Sequence, residues 1–130
     1  MGIAILVRHG HSTANAEGIV SGRLPGVHLT ERGQREALDL STAFGTITVD
    51  QVYVSPLERT QETAIRIFGT STLNLEYGII ECDYGDWSGL PLSELAKEPL
   101  WKDVQASPER VRFPNGESLT AMAARAVDTV

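Results

Sequence analysis

The run Ile3-Ala4-Ile5-Leu6-Val7 is unbroken apolar sequence, rich in β-branched residues, and it stops abruptly at Arg8-His9-Gly10. A strand with no polar alternation is one buried on both faces, which requires a parallel sheet with helices on either side. The following residues supply those helices. Thr30 is placed to N-cap a helix from Glu31 to Phe44, which Gly45 can end. Gln51 to Val54 reads as a second strand, and Ser55-Pro56 leads into a helix from Leu57 to Phe68 closed by Gly69. A third short strand is expected near Leu73 to Glu76. Alternating strands and helices predict an α/β fold with a mostly parallel central sheet and right-handed crossovers.

From residue 79 to 115 the periodicity weakens under repeated Gly and Pro, and only a short helix around Leu92 to Lys97 is expected. Such a long excursion in a chain this small is expected to cover a site. Ser118 then N-caps a final helix whose apolar face would be Leu119, Met122, Ala123, Ala126, Val127 and Val130. That helix reaches the last residue with no stop signal, so the chain reads as cut. With 130 residues and no internal repeat, a single domain is expected.

Charge removes several functions. Eleven basic against 17 acidic residues leave a net charge of −6, the wrong sign for holding nucleic-acid phosphates. The N-terminal apolar run is too short to span a membrane and has no basic flank of the signal-peptide kind. Leu6 occupies the position where a myristoylation signal needs Ser or Thr. Cys82 is the single cysteine and has no internal disulfide partner, so a cytoplasmic protein is expected, without membrane or nucleic-acid partners. The bases of the first 68 residues are all arginine, whose planar fork suits fixed contacts to phosphate or carboxylate.

Ligands of open α/β sheets bind beyond the carboxyl ends of the strands, where Arg8-His9-Gly10-His11-Ser12-Thr13 stands after the first run and Arg59 after the second. Two arginines there would clamp a tetrahedral dianion, and Ser12 and Thr13 add hydroxyl donors. A histidine between such cations is kept neutral and nucleophilic, so His9 is the candidate for attack on phosphorus. The departing alkoxide then needs a proton, and Glu81, beside Ile79-Ile80, is the candidate acid.

Leu6-Val7-Arg8-His9-Gly10 resembles the signature of the histidine phosphatase superfamily, the phosphoglycerate-mutase-like proteins. Ser55-Pro56-Leu57-Glu58-Arg59-Thr60-Gln61-Glu62-Thr63-Ala64 resembles its second-arginine motif, Glu81 stands where its acid stands, and Gly116-Glu117-Ser118 resembles its lead into a later helix. The resemblance covers nearly the whole chain. It implies a three-layer phosphoglycerate-mutase-like fold, incomplete at the C-terminus, forming one domain over residues 1–130. It also implies that His9 is the phosphorylated nucleophile, that Arg8 and Arg59 bind the phosphoryl group, and that Glu81 shuttles a proton. Asn15, Ser21 and Gly22 match positions lining the substrate site. The substrate would be a small phosphorylated metabolite, with no cofactor and no metal.

Two departures bear on activity. After the acid, phosphoglycerate mutases carry Arg-His-Tyr-Gly, whereas this chain has Cys82-Asp83-Tyr84-Gly85, which favours a phosphatase over the glycolytic mutase. The stretch from Glu81 to Trp87, with Pro91-Leu92-Ser93-Glu94-Leu95, is similar to actinobacterial proteins described as phosphomutases. The family also places a second catalytic histidine in a Ser-His-Gly-like motif, and His11 and His28 do not match it. Three readings follow: a phosphatase, a phosphomutase, or a catalytically dead phosphate-binding or interaction domain.

Other readings of the same residues are weaker. His9-Gly10-His11 with Asp83 or Asp86 has the composition of a metal site, but the arginines would repel a cation. Neighbouring acids would raise the thiol pKa of Cys82 and weaken it as a nucleophile. His28 reads as an exposed loop histidine, and Trp87 and Trp101 as residues buried under the excursion.

Overall fold

A computed structural model describes residues 2–70 and 73–130. Its helices are α1 (Thr13–Glu17), α2 (Glu31–Phe44), α3 (Glu58–Phe68), α4 (Leu92–Leu95), α5 (Leu100–Ala106) and α6 (Leu119–Thr129). Its strands, β1 (Val52–Val54) and β2 (Leu73–Leu75), flank α3 and pair in parallel, with Val52 opposite Leu73 and Val54 opposite Leu75. The Glu76 amide extends this ladder to the Val54 carbonyl at 2.8 Å. The chain is thus helix-rich α/β with a small parallel sheet.

Helices form where local chemistry favours them. Thr30 Oγ1 accepts the Gly33 amide at 3.2 Å, and Ser118 Oγ accepts the Ala121 amide at 3.1 Å, so both expected N-caps are in place. Helix α2 packs along α3, and Ala37 on the first and Ala64 on the second are both buried. Ser41 Oγ donates to the Ile67 carbonyl, and Phe44 meets Phe68 edge to face at 5.2 Å. This pair of helices carries the segment after residue 7.

The excursion has its own core. Cys82, Trp87, Leu95, Val111 and Phe113 are all buried together, with Tyr84, Trp101, Leu119 and Met122 packed around them. Trp87 and Phe113 pack at 5.2 Å and Tyr84 and Phe113 at 4.8 Å, both edge to face. Burial of each such large apolar side chain contributes roughly 1.5–3 kcal/mol, so residues 79–115 are a packed layer held by aromatics. Helix α5, absent from the sequence reading, fills the space between Pro99 and Pro108.

Two expectations fail. Ile3 to Val7 forms no strand, and Ile3 and Leu6 are 91% and 81% exposed. An apolar run specifies what a strand would bury, but a strand also needs a ladder partner, and among the described residues β1 and β2 pair only with each other. The apolar face of α6 is likewise only partly covered. Leu119, Met122 and Ala126 are half-buried against the turns at Tyr77–Ile79 and Pro108–Arg110, while Ala123, Val127 and Val130 are exposed. Among the described residues no helix is long and apolar enough to cross a membrane.

Candidate active site

Backbone close to backbone sets the position of His9. A Cβ on Gly10 would lie 2.5 Å from the Gly33 carbonyl oxygen, and one on Gly33 would overlap the His11 carbonyl, so only glycine fits at both places. The Gly10 amide donates to Thr63 Oγ1 at 3.1 Å, and that hydroxyl donates to the Arg59 carbonyl at 2.7 Å. From α2, Glu36 accepts the His11 amide at 2.9 Å. The segment Gly10-His11 is therefore fixed to both helices by its main chain.

The His9 ring is half-buried, with Nδ1 2.7 Å from the Gly10 carbonyl and Nε2 3.3 Å from Arg59 Nε. Both neighbours fix the tautomer: Nδ1–H donates to the carbonyl, and the Nε2 lone pair faces the guanidinium. Burial lowers the imidazole pKa below its ordinary value. The Gly10 carbonyl opposes that shift, Arg59 and Arg8 reinforce it, and Glu81 opposes it. A neutral ring whose Nε2 carries no proton is a nucleophile at neutral pH once a bound oxygen draws the Arg59 Nε–H away from it.

Arg59, in the first turn of α3, is 2% exposed. Its Nη2 donates to the Gly22 carbonyl at 3.0 Å, while Nη1 is buried with no acceptor among the described residues. A buried cationic N–H without a partner is costly, and an anionic oxygen would satisfy it. Gly22 has φ +49, and a Cβ there would lie 2.9 Å from the Tyr84 ring. Arg8 is exposed and acts on His9 through its charge alone among the described residues, so only one arm of the expected clamp is in contact.

Glu81 is half-buried, and its Oε1 accepts the Cys82 amide at 2.7 Å. Its charge acts on His9, Arg59 and Tyr84 at longer range. Burial chiefly, and then Glu81, pushes the Tyr84 hydroxyl pKa upward. The Glu81 carbonyl accepts Arg23 Nε at 2.8 Å and Arg125 Nη2 at 3.2 Å.

His9, Arg59 and Gly22 are thus joined by hydrogen bonds, with Glu81 and Arg8 in electrostatic reach. Asn15 and Ser21 make no hydrogen bond to them among the described residues. Asn15 is exposed, and its Oδ1 accepts the Ser12 amide and hydroxyl in the capping box of α1, while the Ser21 carbonyl takes the Leu24 amide. His11 bonds Thr30 through Nδ1 at 2.8 Å, and His28 pairs with Glu62. Asp83 accepts the Gly85 amide and Asp86 the Asn115 amide group, and among the described residues no three His, Cys, Asp or Glu side chains gather as metal ligands. Cys82 is fully buried, and its thiol is pushed up to about 12 by burial and then by Glu117 and Glu81.

The sequence reading missed Thr63, Glu36, Arg23, Glu117 and Arg125. Thr63 had a usable signal, being one helical turn after Arg59 on the same face. The clefts offer little guidance. A cavity of about 110 Å³ adjoins Arg8, His9 and Thr63, whereas a larger one of about 320 Å³, lined by Phe44, Ile47, Val49, Ile67 and Phe68, touches none of the polar site groups.

The sequence profile described as Histidine phosphatase superfamily (branch 1) matches residues 4–130. The chain belongs to the histidine phosphatase superfamily. Phosphoserine phosphatase 1 of Hydrogenobacter thermophilus is 37% identical over 91% of this chain and 57% of its own length. The 2,3-bisphosphoglycerate-dependent phosphoglycerate mutase of Bartonella quintana is 36% identical over 93% of this chain and 63% of its own length. The crystal structure of the alpha-ribazole phosphatase from Shigella flexneri superposes with a TM-score of 0.80 at 29% identity, covering 92% of this chain and 60% of that one. This superfamily member therefore spans about three-fifths of the length of the relatives it matches.

Proposed function

We propose that this histidine phosphatase superfamily chain hydrolyses a phosphomonoester, a small phosphorylated metabolite, through a phosphoryl group carried on His9. The supporting observation is the Nε2 lone pair of a neutral His9 held 3.3 Å from the buried Arg59, whose Nη1 has no acceptor among the described residues. Phosphoryl oxygens bonded to that guanidinium would bring phosphorus to Nε2. The Nε2–P bond forms as the ester P–O bond breaks, and the leaving oxygen takes the proton of the Glu81 carboxyl. Water then attacks phosphorus and gives its proton to the Glu81 carboxylate. The N–P bond breaks, its electron pair returns to Nε2, and inorganic phosphate leaves. Arg8 adds positive charge at the mouth, and Asn15 and Ser21 are proposed to meet the rest of the substrate.

Hydrolysis is preferred to mutase transfer because of Cys82. Mutases hold a second substrate anion with an arginine at that position, whereas Cys82 is fully buried and uncharged. The same buried, unpaired thiol is compatible with a reducing compartment, and the cytoplasm is the proposed location. Incubation with a radiolabelled phosphoester followed by an alkaline quench should leave acid-labile label on His9, absent in His9→Ala. Label in His9→Ala, or none in the wild-type chain, rejects phosphohistidine catalysis. Phosphate binding without label would instead fit an interaction domain.

A further inference from the structure

The acid side of the site has a support that its catalytic residues do not explain. Arg125, on α6, uses all five guanidinium N–H groups. Nε and Nη2 bind the two Glu117 carboxylate oxygens at 2.7 and 2.9 Å. Nη1 donates to the carbonyls of Gly78 and Ile80 at 2.8 and 2.7 Å, and Nη2 also reaches the Glu81 carbonyl at 3.2 Å. Arg23 donates to the same Glu81 carbonyl and to Glu117, and Glu117 in turn accepts the Asp83 amide at 3.2 Å. The peptide units on both sides of the Glu81 α-carbon are therefore pinned. Because peptide units are planar, pinning both fixes the direction in which the side chain leaves the backbone.

Resting on the phosphohistidine reading, we infer that Arg125 and Glu117, with Arg23, are positioning residues that set the Glu81 carboxyl for proton transfer to the leaving group. Lysine cannot replace Arg125 in this role, since a point charge with three donors cannot serve two carboxylate oxygens and three carbonyls together. Arg23 and Arg125, far apart in sequence, both donate to the Glu81 carbonyl, and the Glu117 carboxylate accepts from both arginines. The low pKa of Glu117, about 2 because of the Arg125 hydrogen bonds, keeps this carboxylate charged throughout the working range.

Leaving groups separate positioning from scaffolding. The departing phenolate of 2,4-dinitrophenyl phosphate needs no proton, whereas the departing alkoxide of an alkyl phosphate does. The full chain should be phosphorylated on His9 by both, and the ratio of the two rates should rise about 100-fold in Arg125→Ala in favour of the activated ester, as in Glu81→Gln. Arg125→Lys should recover only part of the loss. Amide exchange adds a readout independent of turnover: Arg125→Ala should lose protection at Cys82, whose N–H binds the Glu81 carboxylate, and keep it at Gly10. An unchanged rate ratio, or Cys82 protection lost only together with that of Gly10, overturns the inference. Absence of label on His9 in the wild-type chain would remove the phosphohistidine reading, and Cys82 exchange would still decide whether the clamp holds the carboxylate.

Discussion

The two sides of the site are held by different forces. On the capture side, Arg59 and Thr63 are nearly inaccessible to water, and His9 is placed by backbone contacts to two helices. On the acid side, Glu81 hangs from a partly exposed network of arginines and a carboxylate. Burial makes the first insensitive to salt and intolerant of lost partners, whereas partial exposure leaves the ion pairs of the second open to screening by salt. Capture of phosphate needs a fixed cation, and proton transfer needs a carboxyl that can change state.

The sharpest way to break the capture side is Arg59→Lys. The charge survives, but the fork that touches both His9 and Gly22 does not, and labelling of His9 should fall about 100-fold or more, measured by rapid quench. Thr63→Val comes next. It removes the acceptor of the Gly10 amide and should cost about 1–3 kcal/mol by denaturant unfolding, whereas Thr63→Ser should cost less.

On the acid side, the Glu117 pKa is lowered in the folded state, so its contribution to stability is fully present above the unfolded value near 4.5. It should fade as pH falls toward 2, and Glu117→Gln should flatten that acid limb of a thermal-unfolding series. The smallest effect is expected at His28, whose pKa is raised by its hydrogen bond to Glu62. That contribution is complete below pH 6.5 and is lost as pH rises through the folded-state value, so His28→Gln should slightly reduce the difference in Tm between pH 5.5 and pH 8.

Local chemistry was readable, and long-range partnership was not. Thr30 and Gly45 bounded α2 correctly because both signals act within one helical turn. Helix α1 escaped notice because five residues show no periodicity, and its capping box uses Asn15 where Glu or Gln is the usual partner. The His9, Arg59 and Glu81 set was proposed from the chemistry expected at strand ends and from family resemblance, and the hydrogen bond between His9 and Arg59 joins two of the three. Glu117 stood out only within the motif that leads into the last helix and Arg125 not at all, since nothing local reveals that five N–H groups converge on residues 78 to 81 and Glu117. The run Ile3 to Val7 has the composition of a strand, but its pairing depends on neighbours that its own residues do not specify.

The crossing of Gly10 over Gly33 has a dynamic consequence. With no side chain between the two main chains, the nucleophile loop and α2 move as one body, and neither can tilt without carrying the other. Breathing that admits substrate or lets phosphate escape would carry the loop and the helix together, so millisecond exchange at His9 and along α2 should show a single rate.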